Sequence, residues 1–472
     1  MPGVDKIDKS GLLILLFGLR QSRIGKAAAR LRELSGHFVR WGALVMTKKP
    51  DVTRRDFVKS GATAAAVVSA FNVLPSKEAR AAAPVTVGLV GCGGRGRGAM
   101  MNSIQACEDV QIKYLVDIFP DRIELAKAEL EKLGRPTDIE TFMGFKAYKE
   151  ALKIETDYVI LATPPCYRPE TLELAVELKR NVFMEKPAGV DAPGIRRIIA
   201  AGEKAKKSGL KIVAGSQRRH QAEYIEAIDK IRNGAIGDVI NAQTFWCGGP
   251  IGFGDKKPGM TDLEWQMRSW YHFGWLSGDH IVEQHVHNLD VINWIVGSHP
   301  VKAYGSGGRA WQQRGDIWDH HSVHYQFANG LNVLSMCKQI PGQGRVEERV
   351  QGAKGYARTS QGGPWFIQDE KGKEIWRHRG QKSSPYVQEH ADLIECIRKD
   401  KPINEARNIA ESTMTAIFGR MAEYAGKEMT WDEAIKSDES YPIYYELRDL
   451  PKVPIPVPGG QPYTGEEGWK PG

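Results

Sequence analysis

The chain has 472 residues, 42% of them hydrophobic and 26% charged, with a formal net charge of +8. That is ordinary globular composition with length for two or three domains. Residues 1–83 hold 15 of the 65 Lys and Arg but only 6 of the 57 Asp and Glu, so the rest of the chain stands at −1. A neutral body lacks the counterion-releasing surface that grips a phosphate backbone, which excludes nucleic acid as a partner.

Residues 1–83 read as a leader. Thr53-Arg54-Arg55-Asp56-Phe57-Val58-Lys59 is a twin-arginine pattern, Gly61–Ala70 a weakly apolar run, and Ala79-Arg80-Ala81 a stretch of small residues at cleavage spacing. The apolar run is too short to remain as a membrane-spanning helix. The expectation is export through the twin-arginine machinery to the periplasm or another exported location, with no permanent membrane span. Met46 lies eight residues before Arg54, so 46–83 forms the signal and 1–45 is expected to be an upstream mis-start. A plain disordered basic N-terminus is the alternative. The six cysteines (92, 107, 166, 247, 337 and 396) show neither CxxC nor ligand spacing. Export of an already folded protein predicts free, mostly buried thiols.

From Val85 short β-branched runs alternate with helical stretches. Val85–Val90, Gln111–Val116, Asp157–Ala162, Asn181–Met184 and Lys211–Ala214 predict buried strands, and 95–107, 121–133, 168–179 and 192–208 predict helices. This rhythm predicts an α/β fold: a doubly wound parallel sheet covered on both faces, over residues 84–216. Residues 217–450 read as a second domain. It has a helix near 220–233, a strand near Val239–Phe245 and a Gly- and Trp-rich stretch at 248–278. A helix near 279–296 follows, then alternating segments at Ser322–Phe327 and Leu331–Cys337 joined by Asn329-Gly330, and late helices near 386–399 and 404–425. The tail, 451–472, is Pro-rich and predicted to run extended over the surface or a neighbouring subunit.

Gly91-Cys92-Gly93-Gly94-Arg95-Gly96 fits GxGxxG, follows a predicted strand, opens a helix, and is succeeded by Asp117 at the end of the next strand. Gly91 permits the tight turn, Gly93 lets backbone approach a pyrophosphate, and Gly96 lets helix and strand pack closely. Gly94 and Arg95 complete the loop, whose helix N-terminus offers unpaired N–H groups to phosphates. Asp117 can accept from ribose hydroxyls and repels a 2′-phosphate, favouring NAD, while Arg122 nearby leaves NADP open. Thr163 and Pro164, after the strand ending at Ala162, belong to the same expected cofactor edge. A glycine-rich turn serving only the fold is the plain alternative.

Glu185-Lys186-Pro187 follows the strand Asn181–Met184, at the carboxyl edge where doubly wound sheets bind ligands. On the helix near 279–296, Glu283 and His287 stand one turn apart with His280 on the same face, and His285 points elsewhere. A carboxylate there can orient an imidazole and tune its basicity. A surface lysine before a turn and a solvated helix pair are the plain alternatives. Eight of the twelve histidines (272, 280, 285, 287, 299, 320, 321 and 324) fall within 53 residues, but without HExxH or a facial triad, so no metal is expected.

Taken together, the Gly loop, Glu185-Lys186-Pro187 and the Glu283…His287 helix resemble the glucose–fructose oxidoreductase / inositol dehydrogenase (Gfo/Idh/MocA) family over residues 85–440. The resemblance implies a Rossmann domain followed by an α/β domain with a large, open, mainly antiparallel sheet that often mediates homo-oligomers. It implies Lys186 as the catalytic lysine, with a bond to Pro187 that is often cis, and His287 as the acid/base. Glu283 stands where many members have aspartate, and Tyr167-Arg168 where relatives often place a histidine. The mechanism implied is proton removal by neutral His287 as hydride leaves a sugar carbinol, with the Lys186 ammonium stabilising alkoxide charge. Glu283 then orients His287 or binds an adjacent hydroxyl.

Seven of twelve tryptophans, at 246, 265, 270, 275, 294, 311 and 318, cluster in one stretch. Aromatic faces stack on sugar C–H surfaces, so a small carbohydrate is the expected substrate, although core packing accounts for many tryptophans. Gln217-Arg218-Arg219 follows the last Rossmann strand, and Arg219, Tyr271 and His280 are the candidate substrate contacts. Outside the cytoplasm free NAD is scarce, so tightly held cofactor is expected. That restricts the chemistry to reactions that restore it: transfer between two sugars, or an NAD-dependent glycosidase working by transient oxidation, elimination and re-reduction, with Tyr271 or His280 as second base. A cofactor-stabilised sugar-binding protein is the non-enzymatic alternative.

Overall fold

The computed structural model describes residues 83–311, 314–380, 384–452 and 454–460. The twin-arginine pattern and cleavage stretch lie outside the described residues, as do 461–472 of the tail. Six strands form the first sheet: β1 Val85–Val90, β2 Val110–Asp117, β3 Glu140–Met143, β4 Tyr158–Leu161, β5 Asn181–Met184 and β6 Ile212–Ala214. They pair in parallel in the order β3-β2-β1-β4-β5-β6. Helices α1 Gly94–Ala106, α2 Pro120–Lys132, α3 Arg168–Glu177 and α4 Ala192–Lys207 connect them. β1, β4 and β5 are buried almost throughout, hence their continuous apolar runs. β3 has no such run: Glu-Thr-Phe-Met lies mostly exposed, so periodicity does not reveal it. The strand order reverses between β1 and β4, which opens a crevice at their carboxyl ends. Gly91, Thr163 and Lys186 all leave the sheet at that edge.

The second sheet is nine-stranded: β7 Val239–Gly248, β8 Lys302–Gly308, β9 His320–Gln326, β10 Asn332–Gln339, β11 Arg345–Gly352, β12 Gly355–Ser360, β13 Phe366–Asp369, β14 Glu374–Arg377 and β15 Met429–Thr430. Its order is β14-β13-β12-β11-β7-β10-β9-β8-β15, antiparallel at every junction except β7 with β10. The β9–β10 hairpin turns at Asn329-Gly330, where Gly330 takes φ +85°. Along β10 Val333, Ser335 and Cys337 are buried while Leu334 and Met336 are 55% and 45% exposed. One face of this sheet is therefore packed and the other open.

The packed face is covered by α5 Ala222–Arg232, by a π-helical turn at Ile281–His285 that runs into α6 Val286–Val296, and by α8 Ala406–Ala425. α6 is buried nearly all round, so its polar residues find partners inside the protein. Another late helix, α7 Pro385–Arg398, returns to the first sheet and packs on α1. Leu393 and Ile394 join Ile104, Phe183 and Val213 in one core. Behind α7, Ile212 donates to the Ile403 carbonyl and accepts from Glu405 N–H. The second core runs without a break from the α3–α4 side of the parallel sheet through α6 and α8 to the second sheet. Pro456 and Gly459 of the tail bond to Trp318 and Tyr424, so this stretch lies across its own chain. All six cysteines are unpaired, four of them buried. No helix among the described residues is long and apolar enough to cross a membrane.

Candidate active site

A cavity of about 440 Å³ opens at the crevice of the parallel sheet, lined by Gly91, Gly93, Gly94, Arg95, Gly96, Asp117, Thr163, Pro164, Glu185, Lys186, Glu283 and His287. At its glycine end Gly91 turns at φ +98°, and a Cβ there would strike the Ala162 carbonyl and Thr163 nitrogen. A Cβ on Gly96 would lie 1.7 Å from the Gly91 oxygen, so helix and turn touch only because residue 96 is glycine. Gly93 and Gly94, by contrast, face open space. Gly93 begins α1 without a side-chain cap, which leaves the first amides of the helix free for an anion. Asp117 accepts from the Cys92 and Phe119 amides at 2.7 and 2.9 Å and lines the same cavity. Open glycines, an uncapped helix start and a strand-end carboxylate fit a dinucleotide.

Arg95, in the same lining, belongs to a charge cluster, pairing with Glu185 and, at 3.4 Å, with Glu389 of α7. Burial lifts Glu389 well above the ordinary carboxylate range, Glu185 adds to the lift, and Arg95 opposes it. Arg168 is buried and donates to the carbonyls of Thr163 and Pro187. It thereby ties the β4 loop to the β5 loop, whose Lys186–Pro187 bond is cis.

Lys186 reaches across to the π-helical turn. Its ammonium donates to Glu283 Oε1 at 2.7 Å and to the Glu283 carbonyl. Of the two roles expected for Glu283, orienting His287 finds no hydrogen bond here because Oε1 is engaged by lysine, while binding an adjacent hydroxyl stays open to Oε2. The closer opposite charge wins, because a bare ammonium in a largely dry cavity costs more than an unbonded neutral imidazole. Burial raises Glu283 above the usual carboxylate range, while Lys186 and Arg168 pull it down; its Oε2 is buried without a partner among the described residues. The His287 ring makes no hydrogen bond to a described residue. It stacks on Trp246, centroids 5.6 Å apart at 25°. Burial first, then the charges of Lys186 and Arg218, hold it well below the ordinary histidine range, so it is neutral at neutral pH.

The three expected substrate contacts do not line the cavity. Arg219 is fastened to Asp290 by bonds of 2.8 to 3.1 Å. Tyr271 and His280 bond to one another at 2.5 Å behind the wall, and burial pushes His280 down to about 3. His280 stands immediately before the π-helical turn Ile281–His285, where α-helical spacing no longer sets which side chains share a face. His285, as the helical spacing predicts, points elsewhere, to Ser335. In the candidates' place the cavity presents Gln217, Trp246, Trp270, Gln284 and Tyr386. Trp246, Trp270 and Gln217 lie in segments the sequence singles out. Tyr386 arrives on α7, and no local signal marks it. Among the described residues no group of three His, Cys, Asp or Glu side chains is placed to hold a metal ion.

Residues 85–213 match the family described as oxidoreductase family, NAD-binding Rossmann fold, and 224–358 match the GFO/IDH/MocA C-terminal domain. An uncharacterised oxidoreductase of Streptococcus pneumoniae is 27% identical over 207 residues, 43% of this chain and 52% of that protein. Glycosyl hydrolase family 109 protein 1 of Bacteroides thetaiotaomicron is 27% identical over 171 residues, 34% and 36% of the two chains. The chain thus spans about half or less of the length of these two relatives. Scyllo-inositol dehydrogenase from Lactobacillus casei, solved with NAD(H) and scyllo-inositol, shares the fold with a TM-score of 0.58 at 19% identity, over 74% of this chain and 99% of that one.

Proposed function

We infer that this chain, which belongs to the GFO/IDH/MocA family of NAD-binding oxidoreductases, oxidises a hydroxyl of a small sugar or polyol. The observation that carries the reading is the meeting of Lys186 with Glu283, beside His287, in the cavity that holds the glycine cradle. NAD, when bound, supplies the acceptor for the hydride. The chain supplies the rest. Neutral His287 takes the hydroxyl proton, the Lys186 ammonium stabilises negative charge gathering on that oxygen, and Glu283 holds Lys186 in place. The spare Glu283 Oε2 and the buried, unpartnered Gln217 Oε1 are acceptors that suit neighbouring hydroxyls. A polyhydroxylated neutral substrate satisfies both, while an acid would meet the Glu283 carboxylate.

A second reading, an NAD-dependent glycosidase, is favoured by the glycosyl hydrolase family 109 relative. It requires a second base, and neither Tyr271 nor His280 reaches the cavity to provide one. The two readings part in a single experiment: purify the protein, identify released nucleotide, and supply free sugars, polyols and aryl glycosides. Change in bound NADH absorbance with a free sugar supports oxidation. Aglycone release without net NADH supports hydrolysis. Full turnover after Lys186→Ala or His287→Ala overturns both.

The same reading extends to export by the twin-arginine route with tightly retained NAD, which predicts that changing Arg54 and Arg55 to Lys together keeps the protein in the cytoplasm. It also extends to a homo-oligomer through the open face of the second sheet, where Tyr304, Leu334 and Met336 are about half exposed. Solution mass, with and without Leu334→Lys, tests that.

A further inference from the structure

We propose that Trp246 is a positioning residue that sets the plane of the His287 imidazole and keeps water from it. The proposal rests on His287 being the base. Glu283 Oε1 is committed to Lys186 and no described residue bonds either ring nitrogen of His287, whose ring stacks on Trp246 at 25°. Trp246 sits on β7, a central strand paired on both sides, opposite Cys337 of β10 and Val346 of β11.

The helix carrying His287 and the strand carrying Trp246 share an anchor. Asn288 donates to the Phe245 carbonyl at 3.0 Å and to Glu348 at 2.6 Å. Glu348, buried on β11, also takes Arg218 Nη1 at 2.5 Å. The Arg218 guanidinium lies 5.8 Å from the centroid of the Trp246 ring. One carboxylate therefore fastens the turn beside His287 and the cation beside Trp246. The charged and titratable groups acting on His287 are Lys186, Arg218, Arg95 and His285, with Glu283 one turn away. In this cationic surrounding the indole shields the imidazole from water, which would otherwise ease its protonation.

The test follows the His287 ring by NMR in the nucleotide-bound protein, with labelled histidine and His287→Asn to assign the signal. We expect the wild-type ring to be shifted by the indole and to remain neutral well below pH 6.5. Trp246→Phe keeps both properties. Trp246→Ala loses the ring shift and raises the titration towards the ordinary ~6.5. With a sugar that turns over, Trp246→Ala cuts kcat about 10- to 100-fold and leaves KM within about threefold. Should Trp246→Ala not fold, Trp246→Leu, which fills the space without a ring, is read instead. An unchanged His287 shift and titration in the ring-less variant overturns the positioning role alone. Normal turnover by His287→Ala overturns the base assignment on which it rests.

Discussion

The two ends of the cavity are built in opposite ways. The glycine end is backbone: six consecutive residues, a turn, and a helix start whose fit depends on the absence of side chains. The proposed catalytic end is side chains from separate elements, with Lys186 and Glu283 97 residues apart in sequence. At Gly91 and Gly96 there is no slack, because the atoms in contact are main chain. At the other end there is steric latitude, but the arrangement depends on an ammonium paired with a carboxylate beside a ring stacked on an indole. The first should fail all at once and the second by degrees.

The sharpest way to break this contrast is Gly96→Ala. Its Cβ would meet the Gly91 oxygen at 1.7 Å, so we expect loss of bound nucleotide and of stability beyond the ~1–3 kcal/mol of ordinary overpacking, read by thermal melting and nucleotide release. Gly93→Ala, facing open space, should melt normally and still retain less NAD. Next come His287→Ala and Lys186→Ala, each expected to lower kcat on the order of 10²–10⁴-fold in steady-state assays. Glu283→Ala leaves a mostly buried ammonium with only the residue 283 carbonyl as partner and should lose up to roughly 3–5 kcal/mol in denaturant titrations.

Acid separates two neighbouring histidines by sign. His280 is pushed down to about 3 in the fold, so from ~6.5 downwards the unfolded chain binds a proton that the native one refuses, and stability falls with falling pH. His321, between Asp279 and Glu423, is raised to about 10 although burial opposes the shift. Its contribution is complete below ~6.5 and disappears as pH rises through 10. Melting curves of His280→Gln and His321→Gln across pH should therefore diverge in opposite directions. The smallest effect belongs to the exposed Arg197–Glu173 pair, where Arg197→Ala should cost about 0.2–1 kcal/mol and leave turnover untouched.

Legibility in the sequence followed the same division. The glycine loop, Asp117 and the first and fifth strands were readable because each is a local pattern: glycines at fixed spacing, or a buried strand with an unbroken apolar run. The exposed β3 carried no such pattern. Lys186 and His287 could be singled out by motif and by resemblance. Their wiring could not, since Glu283 lies at helical spacing from His287 and its choice of Lys186 is made by a chain crossing between two sheets. The face assigned to His280 assumed α-helical winding, which the π turn departs from. Arg219 reads as free in sequence because Asp290, its partner, is 71 residues away. Tyr386 enters the cavity on a helix that sequence order assigns to the distant half of the protein.

That returning helix has a consequence for synthesis. The parallel sheet cannot be finished when its last strand leaves the ribosome, because Phe183 and Val213 wait for Leu393 and Ile394, and Ile212 for residues 403 and 405. Nearly two hundred residues must emerge before that greasy flank is sealed. A fragment ending at 216 would display it to every chaperone and sticky neighbour in the cell, and a working nucleotide-binding half needs the later helix supplied with it.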